Sequence, residues 1–283
     1  MTELNKSVLR ILLKDRTTRR NIIWATEDYV EYGDAYQADR PITASLITGA
    51  NASIVQPRST KGKSRRTNRT KMKAEVSTPS WICNQQNNLV DAAWFKREDV
   101  FNMSQDNGWV TKEEPIVFGE ERGRRWVDYV DARRLEIACG EAPYLTSRYD
   151  VQTGEPIKVK DRIGFFDRKL RVVNENASNE EEWMKWAYRS LESVYGFEFQ
   201  GDSLLLGRKN LLDTFVENME YRFEREPSQE ELRRAARIIS WNIWQMDGLT
   251  FTVPFGEAGK ESCKIHDWRS KVTFLYSSLL KKS

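Results

Sequence analysis

Residues 134–149, RLEIACGEAPYLTSRY, constrain what this chain can fold into more than any other stretch. Leu135, Ile137 and Ala138 form a compact apolar run that reads as a buried strand, and Cys139, Gly140 and Glu141 break it before the period changes. A single glycine after an apolar run also ends many ordinary strands. In an open α/β sheet, however, such a turn lets the backbone approach a ligand at the carboxyl end of the strand. The stretch is therefore a candidate cofactor cradle.

A chain of 283 residues suffices for one large α/β domain, with or without a small appendage. Hydrophobic residues make up 39%, charged residues 31% and aromatic residues 11%, a polar composition that still carries enough apolar material to fold. The formal charge is only +3, so any case for nucleic acid must come from local clustering. Cys83, Cys139 and Cys263 lie far apart and His266 is the only histidine, which points to reduced thiols, a cytoplasmic protein and no metal site. With one histidine, no GxSxG elbow, no Walker sequence, no HExxH and no paired CxxC, hydrolase chemistry has little to stand on. The amino-terminal MTELNKSVLRILLKD lacks the apolar core of a signal peptide, and no segment approaches the roughly 20 apolar residues that span a bilayer.

Residues 1–57 alternate short β-like runs with turns. Leu9, Ile11 and Leu13 alternate with less apolar positions, and ITGANASIV suits a hairpin, so a small β-rich amino-terminal element is expected. Residues 58–73 change composition abruptly: Arg58, Lys61, Lys63, Arg65, Arg66, Arg69, Lys71 and Lys73 occur without an acidic residue. Such a run is either a solvated linker or an arm that follows the phosphates of a nucleic acid. Residues 74–283 read as the α/β domain. Within it, WICNQQNNLVDAAWFKRED carries a helix through Leu89, Ala93 and Trp94, and the glycine-containing stretch that follows reads as loop. RIGFFDRKLRVVNENA and EEEWMKWAYRSLESVYG are amphipathic helices, and their tryptophans read as core packing.

Four segments in this order, KAEVSTPSWICNQQNN, the cradle, SVYGFEFQGDSLLLGRKNLL and RIISWNIWQMDGL, resemble the S-adenosylmethionine-binding half of the adenine-specific DNA methyltransferases that serve as modification subunits of restriction systems. The resemblance covers roughly residues 73–256. It implies a Rossmann-like, S-adenosylmethionine-dependent methyltransferase fold. In the family a DPxxGxG-like turn holds the cofactor. Here Glu136 stands at the acidic position, Ala138, Cys139 and Gly140 fit, and Glu141 and Ala142 replace a small residue and the final glycine. By the same resemblance Glu198 accepts the ribose hydroxyls, Asp247 lies near the adenine amine with Trp244 or Met246 beside the ring, and Thr78 and Pro79 touch the carboxylate end of the cofactor. Asp202 is the alternative for the ribose, and it also reads as a helix cap. The family's (N/D/S)PP(Y/F) signature is missing, and its nearest remnant is Val253-Pro254-Phe255, which leaves Pro254 and Phe255 as the degenerate catalytic candidates. DNA is the implied partner. Only about thirty residues follow Phe255, so recognition is expected from a separate specificity or restriction subunit. The alternative is a catalytically silent protein that keeps the fold to bind DNA or another protein.

Overall fold

The computed structural model of the chain describes residues 5–60, 78–257 and 259–280. The amino-terminal segment is not β-rich. It opens with helix α1 (Lys6–Leu12), capped by the Asn5 side chain, which accepts from the Ser7 N–H. Val8, Leu9, Leu12 and Leu13 are all buried. Their spacing is helical, and it wins over the alternation of Leu9, Ile11 and Leu13 because it places four side chains on one face. The rest of the segment consists of 3-10 turns (Val30–Tyr32, Asp34–Tyr36, Ala44–Leu46, Gly49–Asn51 and Arg58–Thr60), with isolated bridges at Lys14–Asn21 and Ile23–Pro41. In place of the expected ITGANASIV hairpin, the chain makes the 3-10 turn Gly49–Asn51 flanked by bends. Trp24 organises the segment, with Tyr29 and Tyr36 at ring separations of 4.7 and 5.2 Å.

Helix α2 (Ser80–Phe95) forms where expected, but with an unusual buried face of Cys83, Asn84, Asn87 and Asp91, while Leu89 is exposed. Burial of the amides follows from Arg168, itself 1% exposed, which donates to Asp91 (2.5 Å), Asn84 (2.8 Å) and Asn88 (2.7 Å). A buried guanidinium needs polar partners, so the helix presents them. The stretch after α2, expected to be loop, contains a hairpin, β1 (Asn102–Gln105) and β2 (Gly108–Thr111), joined through Asp106-Asn107. Helix α3 (Trp126–Asp131) then leads to strand β3 (Arg134–Glu136).

Helices α4 (Phe165–Asn176) and α5 (Glu180–Glu192) connect β3 to strand β4 (Val194–Glu198). Helices α6 (Gly201–Phe223) and α7 (Gln229–Asn242) connect β4 to strand β5 (Ile243–Gln245). RIISWNIWQMDGL is thus the end of a helix followed by a strand. The three strands form a parallel sheet in the order β3-β4-β5, the arrangement that helical crossovers permit. Lys169 fixes its amino edge: the buried ammonium donates to Val130 O (3.0 Å), Ala132 O (2.5 Å) and Ser193 Oγ (2.5 Å). One face, with Val194 and Ile243, joins the main helical core, which also takes in Val8 and Leu12 of α1. The other face, with Tyr195, Phe197 and Trp244, packs into a second cluster with Met246, Cys263, Ile265 and Tyr276. The hairpin β6 (Lys264–Asp267) and β7 (Val272–Leu275) and the short helix α8 (Ser277–Leu280) cover that side. The architecture is mixed α/β with one parallel sheet. Among the described residues, no helix is long and apolar enough to cross a membrane.

The start of α4 carries a pH-sensitive carboxyl. Asp167 Oδ2 accepts from Ser147 N–H (2.7 Å), Ser147 Oγ (3.1 Å) and Gly164 N–H (3.1 Å), while Oδ1 is buried without a hydrogen-bond partner among the described residues. Burial pushes this carboxyl up to about 6, against the opposing pull of Arg162. Between the unfolded value near 4 and pH 6 the folded chain therefore holds the extra proton, and stability falls as pH rises. The unfolding free energy of wild type relative to Asp167→Asn should drop by about 3 kcal/mol from pH 4 to pH 7 in urea titrations. A flat difference would show that the group is solvated.

Candidate site at the carboxyl edge of the parallel sheet

The site begins where β3 stops. Glu136 is the buried residue of that strand and Leu135 is 46% exposed, so the compact apolar run is inverted: Leu135, Ile137 and Ala138 lie at or outside the surface and the carboxylate lies inside. Glu136 accepts from Tyr144 N–H (3.3 Å) and Leu145 N–H (3.2 Å), closing the turn that follows. Burial pushes its carboxyl well above the usual range; the two N–H donors oppose that and the Glu198 carboxylate adds to it.

Between Glu136 and Tyr144 the chain passes through the left-handed region three times, at Ala138 (φ 49°), Gly140 (φ 52°) and Ala142 (φ 64°). Two alanines held there store strain that the surroundings must offset. Cys139 anchors the loop. Its N–H donates to Phe197 O (2.8 Å), and its side chain folds over Gly196 of β4, where an added Cβ would sit 3.1 Å from Sγ. Gly196 is therefore a packing requirement in a strand otherwise filled by larger side chains. Gly207 of α6 serves the same loop from below, since a Cβ there would meet Gly140 O at 3.0 Å.

Glu198 ends β4 and joins the two halves of the site. One carboxylate oxygen accepts from Gly140 N–H (2.9 Å) and the other from Gln200 N–H (3.0 Å), at the mouth of α6. Thr78 and Pro79 precede α2, where Thr78 O lies 3.7 Å from Cys83 Sγ, and α2 meets the cradle through Asn87 Nδ2, which donates to Tyr144 O (3.1 Å). Tyr144 carried no signal in the sequence. Glu136, Cys139, Gly140 and Glu198 are thus brought together, with Ala138 in the same turn and Thr78 and Pro79 at the start of α2.

The side chains of the remaining candidates make other contacts. Asp247 Oδ1 accepts from Leu249 N–H (2.8 Å) and Thr250 N–H (3.3 Å), so its carboxylate organises the turn after β5. Trp244 and Met246 are buried in the second core cluster, Trp244 Nε1 lying 3.3 Å from Met246 Sδ, and so do not flank an open ring site. Asp202 is fully buried and accepts from Tyr29 OH at 2.6 Å. Phe255 is 64% exposed at φ 61°, with its ring 5.8 Å from that of Phe199, and it borders with Pro254, Ile23 and Gln245 a cavity of about 590 Å³. Arg58 is buried rather than presented to solvent, and its N–H donates to Glu141 Oε1 (2.6 Å), the other oxygen of which accepts from Tyr149 OH (2.6 Å). Glu141 therefore faces Arg58 and Tyr149 instead of filling the cradle. Lys61, Lys63, Arg65, Arg66, Arg69, Lys71 and Lys73 lie outside the described residues. Among the described residues no three metal-ligating side chains cluster. No family model matches the chain, and neither the curated proteins nor the solved structures contain a match to it.

Proposed function

We propose that the chain binds S-adenosylmethionine at the carboxyl edge of its parallel sheet, in a Rossmann-like, methyltransferase-type fold, with adenine in DNA as the acceptor and sequence recognition supplied by another subunit. The observation that carries this is Glu198: a carboxylate at the end of the second parallel strand, tied by Gly140 N–H to the cradle and by Gln200 N–H to the helix that follows. A carboxylate offers about four acceptor sites, and a vicinal diol matches it as a paired donor.

The residues present fit such a ligand in two further respects. A Cβ at Gly140 would meet nothing within 4 Å among the described residues, so the cradle is open where a ligand would lie. Gln200 Oε1, two residues beyond Glu198, is buried without a hydrogen-bond partner among the described residues and offers an acceptor to an amine or hydroxyl. S-adenosylmethionine supplies an electrophilic methyl group when bound. The chain's own part is to orient the nucleoside through Glu198 and to hold the turn closed through Glu136.

A second reading is favoured by one observation. Val253 stands where the family carries an amide or carboxylate acceptor, and it is 9% exposed in the second core cluster. An acceptor is absent there, and the position faces the core, so the chain is better suited to binding than to transfer. Thermal unfolding with S-adenosylhomocysteine at about 100 times its Kd should raise stability by about 2.7 kcal/mol, a Tm rise of several degrees. Tritiated methyl transfer to adenine-containing duplexes separates the two readings: incorporation supports an enzyme, and binding without incorporation supports the silent form. An unchanged Tm at millimolar ligand would overturn both.

A further inference from the structure

The parallel sheet is bare along one edge. At the other, β5 lies against the amino-terminal segment, which Gln245 holds through Ile23, whereas β3 pairs only with β4 among the described residues. Arg134 N–H donates to Ser193 O (2.9 Å), so Arg134 faces β4 and, by the alternation of a ladder, the N–H and C=O of Leu135 point outward. No described group bonds to either. Such an edge is a template for another strand. Leu135 is in register with Tyr195 and shares its face of the sheet, and Leu135 and Ile137 are both exposed.

That face is also left open beside β3. A cleft of about 230 Å³ runs between Leu135, Tyr195 and Trp244 of the sheet and Ile265, Phe274 and Tyr276 of the hairpin layer. The hairpin thus closes the second core cluster over β4 and β5 but not over β3, and the uncovered rings favour an apolar group over water. A second copy of the chain meets both needs. Antiparallel pairing of two β3 strands about a two-fold axis at Leu135 makes the two Leu135 residues a hydrogen-bonded pair, each N–H reaching the other's carbonyl. The same register sets Arg134 opposite Glu136 of the other copy, a guanidinium against a carboxyl on both sides of the axis. Arg134 has a donor to spare, since its Nε is buried without a hydrogen-bond partner among the described residues. The pairing also brings Leu135 and Ile137 of each copy to the open side of the other's cleft.

We propose that the chain forms a two-fold dimer through the bare edges of β3, joining the two three-stranded sheets into one whose cradles open in opposite directions. Sedimentation velocity of the full chain from about 1 to 300 µM should show a monomer–dimer equilibrium with Kd on the order of 10 µM, in keeping with a small interface. Leu135→Lys sets two like charges face to face on the axis and should raise Kd at least about tenfold. Leu249→Lys, at an exposed leucine beyond β5 on the opposite edge, should leave it within about twofold. A hydrogen-bonded antiparallel pair holds its Cα atoms about 5.5 Å apart, inside the reach of a disulfide at about 4.4–6.8 Å, so Leu135→Cys should crosslink two chains under mild oxidation. Wild type should not, because Cys83, Cys139 and Cys263 are buried. The cysteine variant reads the contact even where Leu135→Lys fails to fold. A wild type still monomeric at about 300 µM, a Kd that Leu135→Lys leaves unchanged, or a Leu135→Cys chain that does not crosslink would each overturn the proposal.

Discussion

Gly201→Ala is expected to destabilise the protein by about 3 kcal/mol, the upper range for forcing atoms into a packed interior. Gly201 is the first residue of α6, and a Cβ there would overlap the carbonyl oxygen of Ile23 and lie 3.0 Å from Ile42 Cδ1. The obstacle is backbone, which cannot rotate away as a side-chain tip can. The Gly201 N–H also donates to Trp24 O (2.9 Å), and Gln245 holds Ile23 from the other side through both its N–H (2.9 Å) and its carbonyl (2.9 Å). The amino-terminal segment is thus clamped against the start of α6, three residues from Glu198. Urea unfolding of Gly201→Ala should show a lower midpoint at unchanged m, while Gly108→Ala, whose Cβ would meet only Gln105 O at 3.7 Å, should stay within about 0.5 kcal/mol of wild type. Similar midpoints for the two variants would contradict the close packing.

Arg208→Met should cost about 4 kcal/mol. Arg208 is fully buried in the middle of α6 and donates to four carbonyls: Ile243 O (2.7 Å), Leu12 O, Lys14 O (3.0 Å) and Ser240 O (3.3 Å). Leu12 O and Ser240 O lie in the last turns of α1 and α7, where a helix end leaves carbonyls without an internal partner, while Lys14 O follows α1 and Ile243 O opens β5. A cation at two helix carboxyl ends is also favoured by their dipoles. Burial lowers its guanidinium to about 9, which still leaves it charged at neutral pH. Methionine fills a similar volume and removes every donor, so the loss measures unsatisfied carbonyls at about 1–3 kcal/mol each, reduced by those that find other donors. Arg208→Lys, with fewer donors and a different reach, should fall between wild type and Arg208→Met in urea titrations. A Met variant as stable as wild type would mean that these carbonyls are hydrated.

The elements that could be read from the sequence are those whose packing follows one period. In α5, Trp183, Ala187 and Leu191 sit on a single stripe and are buried together. In β4 every residue is buried, so the strand reads as a continuous run bounded by turn residues. Other parts were hidden for physical reasons. The buried face of α2 carries amides because distant groups supply their partners, Arg168 for Asn84 and the carbonyls of Tyr144 and Ile163 for Asn87, and no local pattern reveals that. In β3 the signs are inverted, since Glu136 is drawn inward by the N–H groups of Tyr144 and Leu145 while Leu135 and Ile137 remain outside. Arg58 is of the same residue type as the cationic run that follows it, and its burial, with its backbone N–H on the sequence-distant Glu141, has no local signal. Glu136, Gly140 and Glu198, which the resemblance named, meet in the structure through the N–H groups of Tyr144 and Gly140. Tyr144 had no such signal, because its place comes from the fold bringing α2 beside the cradle.

The measurement that bears most directly on the account is isothermal titration calorimetry of S-adenosylmethionine on wild type and on Glu198→Gln, which can still accept one of the two backbone N–H groups. The account predicts a micromolar Kd for wild type, about −8 kcal/mol, and binding at least about tenfold weaker for the variant at a temperature where both proteins remain folded. No heat of binding from the wild-type protein, or equal affinity in the two proteins, would contradict a nucleoside site organised by Glu198.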